Sequence, residues 1–107
     1  MNLGTLYEFG QGVAQDDAES AIWYRKAADQ GDARGLAYLG SLYETGRGVP
    51  QDYVEAYELW NLAVARTPAW ETELAAEAVT NRDNIAAKMA PAQIAAAQRR
   101  SRDWKPR

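Results

Sequence analysis

Leu39–Asp52 reads LGSLYETGRGVPQD, and an offset of 36 residues lays it on Leu3–Asp16, LGTLYEFGQGVAQD. Leu3, Gly4, Leu6, Tyr7, Gly10, Gly12, Val13 and Asp16 fall on Leu39, Gly40, Leu42, Tyr43, Gly46, Gly48, Val49 and Asp52. A period of this size is the mark of a repeat protein, in which one supersecondary unit buries its apolar face only against the next. The repeated unit has the period of a helix pair, so the chain reads as all-α, with about six helices stacked in pairs.

Within the stretch, the glycines end one helix and turn the chain, since glycine enters the left-handed conformation at little cost. Asp16 and Asp52 then cap the next helices, with Glu19 and Glu55 three residues on, a cap being worth about 1 kcal/mol. A phosphate cradle would place its glycines before a helix N-terminus, whereas here they come after a helix and an Asp opens the next. Capping likewise accounts for Asp16 and Asp52 without a metal or an acid/base role. Gly40 inside a helix costs about 1 kcal/mol against Ala, which predicts a neighbour passing too close for a side chain; Gly4 repeats the feature.

Moving outward, residues 1–9 predict the remainder of a helix that lacks its opening turns and its cap. Asp17–Gln30 predicts the second helix, with Ser20, Trp23, Tyr24 and Ala27 on one face; Ala56, Leu59, Trp60 and Ala63 take those places one period later. Gly31 and Asp32 form the joint between units. In the helix Ala33–Glu44, one broad arc holds Ala33, Leu36, Ala37, Leu39, Gly40 and Tyr43, while Arg34, Tyr38, Ser41 and Thr45 form a separate stripe with Leu42 at its border. Beyond Arg66 the motif stops. Thr67-Pro68 reads as an N-cap and first turn of a long helix reaching Met89, with Trp70, Leu74, Ala78, Ile85 and Met89 on one side and Asn81–Asn84 as the place where it could be interrupted. Ala90-Pro91 opens a last helix, whose Ile94, Ala97, Ser101 and Trp104 share a face while Arg99, Arg100 and Arg102 point elsewhere.

The motif LGxLYExGxGVxQD, followed by an aromatic pair, then KAA and QG, resembles the Sel1-like repeat, a helix–loop–helix unit related to the tetratricopeptide repeat. The resemblance covers residues 2–66 as two copies. The second copy departs from the pattern at Leu59-Trp60-Asn61-Leu62-Ala63-Val64, and Asn81–Trp104 resembles the C-terminal ends of bacterial proteins of this type, with Ala90 where Thr or Ser is expected. The resemblance implies a right-handed α-solenoid whose first helices line a concave surface, and a role as adaptor or scaffold. The division expected is a single solenoid domain over 1–107: repeat 1 at 1–31 with a truncated first helix, repeat 2 at 32–66, and a capping helix pair at 67–107, the polar-faced end a solenoid needs.

Composition narrows the function classes. The chain has no Cys and no His, which removes thiolate nucleophiles, zinc–thiolate sites and the usual neutral-pH acid/base. No catalytic residue, metal site or cofactor is expected, and a hydrolase activity such as that linked to cysteine-rich, β-lactam-binding relatives finds none of their cysteines. Residues 99–107 carry a net +4, leaving −7 on residues 1–98 of a chain at −3. A body that acidic argues against nucleic acid, and the basic tail suits the negative end of its helix. No apolar run is long enough to span a membrane, so no membrane insertion is expected. No signal peptide is visible: the expectation is cytoplasmic if the chain is complete, periplasmic or secreted if it is cut from a longer precursor.

What remains is the stripe that packing does not demand: Arg34, Tyr38, Ser41 and Thr45, with Asn2, Thr5 and Phe9 in the corresponding places one period earlier. Bulky rings at Phe9 and Tyr38 on the side facing the concavity suit the anchoring of a protein or peptide partner. A solvated face with incidental aromatics is the competing reading. A further alternative is self-association into a homo-oligomer through the unpaired flank of the first helix.

Overall fold

The computed structural model describes residues 17–68 and 70–106, and among these the chain forms five helices and no strand. They are α1 Asp17–Asp29, α2 Ala33–Thr45, α3 Tyr53–Arg66, α4 Thr72–Ala86 and α5 Pro91–Asp103. The sixth helix expected at residues 1–9 lies outside the described residues, as do Gly4, Tyr7, the turn Gly10–Val13 and the cap at Asp16. From α1 to α4 each helix packs on its neighbour in sequence, α5 packs on α3 rather than on α4, and α2 touches α4 lightly. Contacts that run to the next helix and the next but one are the pattern of a solenoid of antiparallel helix pairs.

Local chemistry sets the joints. Gly31 ends α1 at φ +84° and Gly46 ends α2 at φ +73°, backbone conformations that residues with a Cβ rarely adopt. The amides of Gly46 and Arg47 both donate to the Leu42 carbonyl, at 2.8 and 3.0 Å, which satisfies an end that would otherwise leave carbonyls bare. Asp32 accepts from the Gly35 amide at 2.9 Å and Asp52 from the Glu55 amide at 3.1 Å. Both are N-caps, as expected. The Glu55 carboxylate does not complete a capping box; it faces Arg25 and Arg100 instead.

The core runs through all five helices. Tyr24, Leu36, Leu39 and Leu42 are fully buried, with Trp60, Ala63, Ala78, Ile85 and Ala97 extending the same apolar layer. Leu42 is therefore a core residue and not the border of the polar stripe, whereas Tyr43 is half-buried. On α1 the buried positions are Ser20, Ala21, Tyr24 and Ala28, a face rotated slightly from the one expected, with Trp23 and Ala27 only half-buried. Two glycines make room. A Cβ on Gly35 would lie 2.7 Å from Ala27 Cβ and 2.9 Å from the Ala28 amide nitrogen, so α1 and α2 meet there backbone to backbone. At Gly40 the close neighbour is the Trp60 ring, 3.0 Å from where a Cβ would sit. The neighbour expected at Gly40 is thus an indole, and the tightest helix approach falls one turn earlier.

The C-terminal half corrects four expectations. Thr67 closes α3 instead of opening α4: its amide and its hydroxyl both donate to the Ala63 carbonyl. Helix α4 begins only at Thr72, after a turn in which the Glu71 amide donates to the Pro68 carbonyl at 3.0 Å, and it ends at Ala86 without a break at Asn81–Asn84. Trp70 falls in that turn and is 81% exposed, off the apolar side it was expected to share. Ala78, Ile85 and Met89 are buried as expected. Helix α5 opens with Pro91 in its first turn, and the missing cap at Ala90 is partly replaced by Gln93, whose Oε1 accepts from the Ala90 amide at 2.8 Å. Ala97 is buried and Ser101 bonds back to the carbonyls of Ala97 and Glu58. Arg100, expected to point to solvent, turns onto α3 and faces Glu55 and Glu58. No helix among the described residues is long and apolar enough to cross a membrane.

Candidate functional site

Among the described residues, two clefts are lined by different sets of helices. The larger, about 350 Å³, lies between α1, α3 and α5 and is lined by Arg25, Asp29, Glu55, Glu58, Leu59, Arg100, Asp103 and Trp104. Its charges face one another. Arg25 donates to the Tyr43 hydroxyl at 2.8 Å and stands 3.6 Å from Glu55. Arg100 bonds Glu55 and brings its Nε to 2.9 Å from Glu58 Oε1, an ionic contact whose N–H is not aligned for a hydrogen bond. Glu58 is a buried carboxylate, and burial first, then the Glu55 charge, pushes its pKa above the ordinary value, while Arg100 pulls it back. The cluster holds α5 to α3.

The second cleft, about 150 Å³, lies between α2 and α4. Arg34, Ala37 and Tyr38 line it from α2, Trp60 forms its floor from α3, and Glu71, Glu73, Leu74 and Glu77 line it at and along α4. It runs on into depressions bounded by Asp32, Arg66 and Pro68 at one end and by Trp70 and Thr72 over the head of α4. Arg34 and Glu71 are joined across the cleft at 2.9 Å, and the Glu71 charge holds the guanidinium above its usual pKa. Tyr38 is half-buried, its ring 5.0 Å from that of Tyr24. Trp60 is 3% exposed, and its Nε1–H is buried without an acceptor. Such a donor is an unusual expense in a folded protein.

Of the stripe singled out in the sequence, Arg34 and Tyr38 meet at this cleft. Ser41 and Thr45 come next on the same helix but do not line it: the Thr45 hydroxyl donates to the Ser41 carbonyl at 3.0 Å, a bond within the helix. Asn2, Thr5 and Phe9 lie outside the described residues. The sequence reading missed the α4 side of the cleft. Its one signal was the acidic run Glu71, Glu73, Glu77, overlooked because 67–107 was read only as a cap. Among the described residues, no group of three or more carboxylates is arranged to hold a metal ion.

Comparison with known proteins bears on the same chain. The sequence model of the Sel1 repeat matches residues 1–32 and 33–67. Among solved structures, the chain is similar to a protective antigen present in uropathogenic Escherichia coli strains that displays an SLR fold, with a TM-score of 0.86 and 32% identity. That match covers 96% of this chain and 21% of the antigen, so the chain spans about a fifth of the antigen's length. No curated protein matches.

Proposed function

The chain belongs to the Sel1 repeat family, and from that premise we propose that it is a non-enzymatic interaction module that receives a protein segment along the groove between α2 and α4. Folds of this family generally serve as scaffolds for protein–protein contact. The observation that carries the reading is that Arg34, which core packing does not require, and Tyr38, whose ring packs on Tyr24 but stays half-exposed, line one cleft with an aromatic floor and a polar rim. That is the make-up of a peptide-receiving groove: apolar area for affinity and a few placed polar groups for orientation. The stripe continues to Ser41 and Thr45, which would meet the segment beyond the cleft, and to Asn2, Thr5 and Phe9 in the preceding unit. The pair α4–α5 serves as the terminal cap.

A photo-reactive side chain placed in turn at Arg34, Ser41 and Thr45 tests the assignment, with Ala92 and Ala95 on the exposed side of α5 as the opposite face. Irradiation in the source cell is expected to give discrete protein adducts from the α2 positions and none from α5. Equal labelling from both faces, or none from α2, refutes it. Self-association rests on residues 1–9, outside the described residues, and is separated by sedimentation over a range of concentrations.

A further inference from the structure

Glu73 and Glu77 have no cationic partner among the described residues, although Arg34 lies on the same cleft and is taken by Glu71. They stand one turn apart on α4, where like charges repel by about 0.2–0.5 kcal/mol. Glu71 and Glu73 suit the positive end of a helix that starts at Thr72. Glu77 lies in the second turn, where that benefit has faded, so the helix alone does not account for it. The groove as a whole sets the carboxylates of Asp32, Glu71, Glu73 and Glu77 against the guanidinium groups of Arg34 and Arg66, an excess of two negative charges. Beneath this rim lie the Tyr38 ring and Leu74, both half-buried, and the buried Trp60 indole.

We propose, building on the groove assignment above, that the segment it receives is a basic peptide from another protein, with a Lys or Arg side chain seated between Glu73 and Glu77. The aliphatic stem of that side chain lies along Leu74 and the face of Tyr38, and the charged head reaches the paired carboxylates. Arg34, held by Glu71, marks the end of the site and excludes a second cation there. The chemistry disfavours acidic segments, which meet a net excess of carboxylates, while Arg34 is paired with Glu71 and Arg66 is bonded to the Gly31 carbonyl.

The test uses fluorescence anisotropy with two labelled decapeptides, one carrying three Arg in an Ala–Leu background and one carrying three Glu. The Arg peptide is expected to bind and the Glu peptide not. Glu73→Gln with Glu77→Gln is expected to weaken binding about tenfold. Asp83→Asn with Asp103→Asn, the same change of charge away from the cleft, is expected to alter it less than about twofold. Circular dichroism confirms that both variants fold. Equal loss in the two variants would show attraction to the net charge alone and overturn the site. Failure of the Arg peptide while adducts still form from Ser41 and Thr45 overturns the basic preference and leaves the groove assignment standing; failure of both removes both. Self-association that vanishes in the Glu73→Gln, Glu77→Gln variant would assign the cleft to the basic end of a second copy and overturn a separate partner.

Discussion

Arg100→Ala takes away the guanidinium that faces Glu58 at 2.9 Å and also bonds Glu55. Breaking a fully buried ion pair costs about 3–5 kcal/mol, and an exposed one about 0–1 kcal/mol. Here the Glu58 side chain is 10% exposed and that of Arg100 48%, so the loss falls between, at about 2 kcal/mol. For a chain of this size that lowers the melting temperature by about 8–16 °C, read from helical ellipticity at neutral pH. The cause is a carboxylate left buried without its cation, so adding Glu58→Gln to the variant should restore part of the loss. The pH dependence comes from the same residue. Burial and Glu55 raise the folded pKa of Glu58 above its ordinary value near 4.5. Between the two values the folded chain keeps a proton that the unfolded chain has lost, so this residue's contribution to stability declines as pH rises through that window. Removing Arg100, which opposes the rise, extends the window upward. A melting temperature within about 2 °C of the parent, or a further drop on adding Glu58→Gln, would refute the reasoning.

Gly35→Ala gains about 1 kcal/mol of helix propensity but forces a methyl group against Ala27 and the Ala28 backbone; overpacking should win, for a net loss of about 1–2 kcal/mol in urea unfolding. Asp52→Ala should cost about 1 kcal/mol by removing the bond to the Glu55 amide, with no effect on peptide binding in the groove. Tyr38→Ala should weaken peptide binding and also cost about 1–2 kcal/mol of stability, because the ring is half-buried against Tyr24; unchanged unfolding would mean that contact contributes little.

The features legible in the residue order were those decided within a few residues of themselves. Gly31 and Gly46 turn the chain, and Asp32 and Asp52 cap α2 and α3, because a left-handed φ or a bond to an amide three residues on is local chemistry. The repeat itself, visible when Leu39–Asp52 is laid on Leu3–Asp16, required helix pairs that bury a face only by stacking. The family and the all-α solenoid are consequences of that, and so is the burial of Tyr24, Leu39 and Trp60.

What the tertiary structure alone decided depends on residues far apart in the chain. Whether Thr67 opens a helix or closes one turned on the Ala63 carbonyl needing a donor at the end of α3. Arg100 looked like a solvated helix end until α5 came to lie beside Glu55 and Glu58. The candidate site is of the same kind. Arg34 and Glu71 are 37 positions apart, and no periodicity within either helix says that their side chains meet. An amphipathic pattern reports which side of a helix is apolar; it does not report which helix arrives opposite the polar side. The stripe on α2 was written in the sequence, and its acidic wall on α4 was supplied by packing.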